Sequence, residues 1–360
     1  MDIPTEILTS ILGFAYYKFP DRRFNSPDHN VLRECALVHS SWKSIAQELL
    51  FRHITFVESR RLYENLLRVR SDEKHHQELF AQVRILEVHL QDGAGGGVEA
   101  DKHGLSLTPT EFSTLLSKCS DTYELVISAH NIFLLDPGFK HAVHSSGLSI
   151  RSLNLTGCSV QSPVLFELLG LFPTIQFLAV GVEIVADPPT EPLKGIHLYE
   201  LILHRILPIE TLQWLMASSK QSLRILELRD IPGLEFKTLL RDDFASNLLS
   251  LRLFHADRRT ASFILPACTQ LKELVCLNLP RMTRLERYLP ATVETLSISG
   301  LYLGAIISII EAHSHVKTLW VTEATANTGG FEMLRDLCAT RNTRLEANLP
   351  PVWLVCPSSL

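Results

Sequence analysis

No C-x-x-C pair occurs in the 360 residues, and the seven cysteines, scattered from Cys35 to Cys356, are odd in number. That pattern fits reduced thiols and argues against both a disulfide framework and a cysteine zinc site. There is no basic cluster and the formal charge is −5, which speaks against nucleic acid as the main partner. The longest nearly unbroken apolar stretch, Leu301 to Ile310, holds a serine and is too short to span a bilayer, so no membrane partner is expected. No charged segment followed by an apolar run opens the chain, so a cytoplasmic or nuclear location is expected rather than a secreted one.

Catalytic signatures are equally scarce. Neither a Gly-x-Ser-x-Gly elbow nor a His-Glu-x-x-His string is present. Gly93 to Gly97 lacks the Gly-Lys-Ser/Thr ending with which a phosphate-binding loop holds its ligand, and reads as a surface loop. His75-His76, His141 with His144 and His313 with His315 lack the neighbouring cysteines or carboxylates of a compact zinc site. No metal, cofactor or catalytic residue is therefore expected, although separated Ser, His and Asp residues can converge in space as in a hydrolase. Asn154-Leu155-Thr156 is a formal glycosylation sequon inside an expected strand.

What the chain has is repetition. An apolar-x-x-apolar-x-apolar string recurs at Val83, Ile150, Ile175, Leu198, Leu223, Leu248, Leu271, Val293 and Val316, with a weaker copy at Thr122. From residue 150 the spacing holds at 22 to 25 residues, inside the leucine-rich-repeat range of about 20–29. Each string reads as a strand with alternating side chains, and the intervening residues carry helical stripes such as Leu165, Leu168, Leu169 and Leu212, Leu215, Met216. The expected fold class is α/β, with parallel strands on the concave face of a solenoid over 83–330 and helices on the convex face. Residues 57–82 read as a helical linker. Residues 331–360, with Pro350-Pro351 and Trp353, read as a C-terminal cap.

In such strings the first, fourth and sixth residues point into the core, and the third, fifth and seventh face the open side of the sheet. That register aligns His204, Arg229, Phe254 and Leu277 in one row, with Glu227 and Arg252 beside it and Trp320 further along. His204, Glu227, Arg229, Arg252, Phe254 and Trp320 are the candidate residues for binding a protein target, because aromatic and arginine side chains are enriched at hot spots. Paired arginines would suit an acidic or phosphorylated peptide, unless Glu227 and Glu273 neutralise them. The competing reading is that the apolar open-side residues Ile202, Ile225, Val275 and Leu277 pack against inserted loops or on one another.

The first fifty residues differ from the repeats. Pro4 suits the first turn of a helix and Glu6 lies near its positive end. Ile7, Leu8, Ile11 and Leu12 then form an apolar stripe, and Leu32 to Leu50 repeats the pattern through Leu37, Val38, Trp42, Ile45, Ala46 and Leu49. The order Pro-x-Glu-Ile-Leu, Ile-Leu, Cys-Ala-Leu-Val, Trp, Ala over residues 1–56 resembles an F-box, with a longer insert from Tyr16 to Asn30 of the kind seen in fungal F-box proteins. The resemblance implies that Pro4, Ile7, Leu8, Ile11, Leu12, Leu37, Val38 and Trp42 bind the Skp adaptor and, through it, a cullin. It further implies a non-catalytic substrate-recognition subunit of a cullin-RING ubiquitin ligase, with an unknown protein as target. The alternative is a ubiquitin-independent repeat scaffold.

Overall fold

The computed structural model describes residues 4–16, 28–55, 78–91 and 106–347, except 131, 133, 194, 281 and 282. Most of the expected linker, the Gly93 to Gly97 loop, His75-His76, Trp353 and Cys356 lie outside the described residues. The chain forms two compact units, one running through Thr174 and the other from Ile175 to Pro350. The division therefore falls inside the series of strings.

The first unit opens with three helices, α1 (Thr5–Ala15), α2 (His29–Val38) and α3 (Ser40–Arg52). Pro4 immediately precedes α1, and the Asp28 carboxylate accepts from the Asn30 and Val31 amides at the start of α2. Leu8, Leu12, Tyr16, Leu32, Ala46 and Leu49 close into a small core. α3 leads directly into strand β1 (His53–Thr55), which pairs in parallel with β2 (Ile85–Gln91). The two-residue β3 (Ser106–Leu107) also pairs with β2, at its far end. β4 (Glu124–His130) and β5 (Ser152–Cys158) follow in order, with a register shift after Ile127. Their connections are α4 (Pro109–Lys118) and α5 (Pro137–Ser146), and α6 (Val164–Leu171) follows β5. Thr108 and Glu111 form a reciprocal capping box at α4, and Asp136 caps α5.

The second unit is a parallel sheet whose strand order is the chain order: β6 (Phe177–Val180), β7 (Glu200–Leu203), β8 (Ile225–Leu228), β9 (Ser250–Leu253), β10 (Glu273–Cys276), β11 (Thr295–Ile298), β12 (Thr318–Val321) and β13 (Arg344–Glu346). The strings stack in phase: Leu178, Leu201, Leu226, Leu251, Leu274, Leu296, Leu319 and Leu345 are successive register partners. All but Leu345 are buried. Helices α7 (Ile209–Met216), α8 (Leu234–Leu239), α9 (Arg258–Ile264), α10 (Leu303–Ala312), α11 (Glu323–Ala326) and α12 (Phe331–Thr340) occupy most connections. Adjacent parallel strands joined by right-handed crossovers put every connection on the same face. The other face of the sheet stays open.

Departures from the expected pattern are local. The β6–β7 connection has no helix, because Pro188-Pro189 and Pro192 lack the amide protons a helix interior needs. Ile184 and Ile196 nevertheless bury their side chains there. Within the expected C-terminal cap, α12 and β13 supply one further helix and strand, and Leu345 continues the leucine row.

Gly300 follows β11 at φ +86, and a Cβ there would lie 2.7 Å from the Leu279 carbonyl oxygen. That oxygen belongs to backbone and cannot swing aside. Gly300→Ala is expected to cost about 1–3 kcal/mol for the left-handed backbone alone, read from urea unfolding. Gly329→Ala, whose Cβ meets nothing within 4 Å, should cost much less.

Candidate interaction surfaces

The apolar stripe of α1 divides into two flanks. Successive helical residues are about 100° apart, so Leu8 and Leu12 face the three-helix core while Ile7 and Ile11 face outward. Leu8 and Leu12 are 1% exposed, whereas Ile7 is 53% and Ile11 43% exposed. Leu8 and Leu12 are therefore core residues and are not available to touch an adaptor. Phe14, one turn beyond Ile11, is 82% exposed and extends the outer stripe. Leu37 and Val38, at the end of α2, are also exposed, Trp42 is partly buried against the core, and Pro4 is exposed. Phe14 was legible as an i, i+7 partner of Ile7 but is not among the residues of the F-box-like order.

On the open face of the second unit, His204, Arg229 and Phe254 do share a row, as the amides of all three continue the ladder from the preceding strand. The Arg229 guanidinium stacks over the Phe254 ring at 4.8 Å, a cation–π contact. Beside them Arg252 meets three carboxylates, with Glu200 at 3.2 Å, Glu273 at 3.7 Å and Glu227 at 3.8 Å. Arg229 takes Glu227 at 3.2 Å, and Ser250 donates to Glu273 at 2.6 Å. Glu227 is only 3% exposed, so the expected outward position is correct for the backbone, but the long arginine side chains cover it. Both arginines are thus committed to carboxylates within the protein. Trp320 lies three strands from β9, about 14 Å at the usual strand spacing, and is not part of this cluster. Val275 and Leu277 are buried on this face beside Arg252 and Phe254, which agrees with mutual packing.

Burial dominates the titration of this group. It pushes the Glu227 and Glu200 carboxyls above the usual carboxylate range despite the favourable arginines. His204 is driven down to about 4, first by burial and then by Arg229 and Arg205. Between pH 6.5 and about 4 the unfolded chain therefore binds a proton at this histidine that the native state refuses. Stability attributable to His204 is full above about 6.5 and falls with acidification by at most about 1.4 kcal/mol per pH unit. His204→Gln should be flatter than wild type in denaturant unfolding compared at about pH 7 and pH 5.

The open face of the first unit carries other polar contacts. Glu87 accepts from the Thr55 hydroxyl at 3.1 Å and lies 3.5 Å from His53 Nε2, and the neighbouring His53 is the largest influence lowering the Glu87 pKa. Ser128 Oγ and His130 Nε2 are 2.8 Å apart, and the His130 ring meets His89 edge-on at 5.9 Å. Among the described residues no carboxylate is bonded to His130, so no complete hydrolytic triad is assembled among them.

No group of three metal-ligating side chains is assembled among the described residues, and no described helix is long and apolar enough to cross a membrane. The six described cysteines are free, and burial pushes the Cys119, Cys268 and Cys276 thiols up to about 12, which makes them poor nucleophiles. A scan against protein-family models finds no match, and a search of curated proteins finds no similar sequence.

Proposed function

We propose that the chain is a substrate-recognition subunit of a cullin-RING ubiquitin ligase, with α1–α3 acting as an F-box and the strings as degenerate leucine-rich repeats. The observation that carries this reading is the exposed apolar stripe of Ile7, Ile11 and Phe14, with Leu37 and Val38 on α2, over a core that is already closed. Exposed aliphatic and aromatic groups on an ordered module are the usual mark of a protein interface. The adaptor set drawn from the sequence is accordingly reduced to Pro4, Ile7, Ile11, Leu37 and Val38, with Trp42 at its margin and Phe14 added.

In this reading the repeats hold a target on the open face of the second unit, around His204, Arg229 and Phe254. The internal pairing of Arg229 and Arg252 removes the argument for an acidic target at that place. The receptor contributes proximity, raising the local concentration of a target lysine near a thioester carried by the rest of the complex. Copurification of the full chain with the Skp adaptor and a cullin tests the proposal.

One observation favours the ubiquitin-independent scaffold. α3 runs without a linker into β1, and the Arg84 amide donates to the Arg52 carbonyl at 2.9 Å, so the helices are built onto the first strands. Failure to capture the adaptor, with a target still bound, would select that reading.

A further inference from the structure

The strands of the second unit begin at an edge where the preceding loops line an open, shallow cleft of about 460 Å³. Lys272, Glu294 and Lys317 occupy the second position of three successive strings, so the strand register brings them side by side. Glu294 accepts from Lys272 at 2.9 Å and from Lys317 at 2.6 Å. The two ammonium groups hold its carboxyl down at about 2, so it stays ionised and keeps both lysines at the rim. Arg341, from the loop before β13, adds a third cation on the same cleft. Three cations against one carboxylate leave a surplus of two positive charges.

The wall of this cleft also contains two buried polar atoms, Thr292 Oγ1 and His315 Nε2, that have no hydrogen-bond partner among the described residues. A buried polar atom left unpaired costs about 1–3 kcal/mol. The His315 ring meets His313 edge-on at 5.2 Å, and its Nε2 is left without a hydrogen-bond partner among the described residues. The segments that precede four successive strands, β10 to β13, thus supply charge and hydrogen-bonding groups at one place.

We propose that this cleft binds a phosphomonoester group. A phosphomonoester carries about −1.5 to −2 charges at pH 7 and three acceptor oxygens, which match the surplus charge and the separate cation positions. The cleft volume falls within the range of small-ligand sites, about 300–1,000 Å³. This inference does not depend on the ligase reading.

The test is calorimetric titration of the full chain with phenyl phosphate and benzoate, and with a phosphoserine peptide and its unphosphorylated form. Phenyl phosphate should bind and benzoate should bind far more weakly. Lys317→Glu with Arg341→Glu should weaken phenyl phosphate binding by about ten- to a hundredfold, as for lost charge-assisted hydrogen bonds. Lys272→Arg, which keeps the charge, should bind nearly as wild type. These side chains lie at the surface, and unchanged thermal unfolding of the variants verifies folding. A phosphopeptide binding more tightly than phenyl phosphate would identify the source as a modified protein segment, and equal affinity would identify it as a small phosphate. Absence of binding by both phosphates, equal binding of benzoate, or unchanged affinity in the charge-reversed variant would each overturn the proposal.

Discussion

Ile11→Glu combined with Leu37→Lys is expected to reduce capture of the Skp adaptor by about a hundredfold or more, the scale of losing two hot-spot residues from one interface. Both positions are exposed, at 43% and 87%. Glu and Lys are good helix formers, and Lys at the end of α2 complements the helix dipole. The helical content by circular dichroism should therefore be unchanged. Leu8→Ala gives a different outcome. Truncating a 1% exposed core leucine costs about 2–5 kcal/mol, which a module this small cannot absorb, so adaptor capture would fall through loss of structure. Wild-type capture by the Ile11→Glu, Leu37→Lys variant would remove the basis for the F-box reading.

Arg252→Ala should destabilise the second unit by about 3–5 kcal/mol, the usual cost of removing one partner from a buried charge group. Its side chain is 12% exposed and lies within 4 Å of the Glu200, Glu227 and Glu273 carboxylates. Without it, three carboxylates crowd one place with only Arg229 nearby. The folded-state pKa values of Glu200 and Glu227, already raised by burial, then rise further above those of the unfolded chain. A carboxyl with a raised folded pKa takes up a proton on folding, so its contribution to stability falls as pH rises through that raised value. The deficit of Arg252→Ala should accordingly be smallest near about pH 5 and larger at about pH 7.5 in urea unfolding. Glu227→Gln in the same background should recover part of it. An unchanged midpoint at both values would mean that the network contributes nothing.

The ten strings recognisable by periodicity all form strands, because a buried position repeated in phase leaves little freedom of register. The strands that were not legible have local causes. Phe51, Ile54 and Phe56 follow the same string at β1, but they fall within residues 1–56, whose resemblance to an F-box implies helices. At β13 the string is reduced to Asn342, Leu345 and Ala347, and Asn342 takes φ +54, so a single large apolar residue is all that marks it. Among the candidate site residues, row membership was legible and side-chain reach was not. Glu200 lies two strands from Arg252, and only the length of the arginine closes that gap. The split of the α1 stripe into inner and outer flanks was likewise hidden, since periodicity identifies an apolar sector without saying which half a neighbour covers.

The coincidence of strand order with chain order in the second unit has a kinetic consequence. Each strand pairs only with those one repeat before and after it, so no contact in the ladder requires closing a loop much longer than a single repeat. The entropic barrier to each addition is therefore small and nearly uniform. Such an array can begin folding at any well-packed pair of repeats and extend in either direction. Under mechanical load the same connectivity would release strands from an end one at a time, giving a train of short extensions in place of one large rupture.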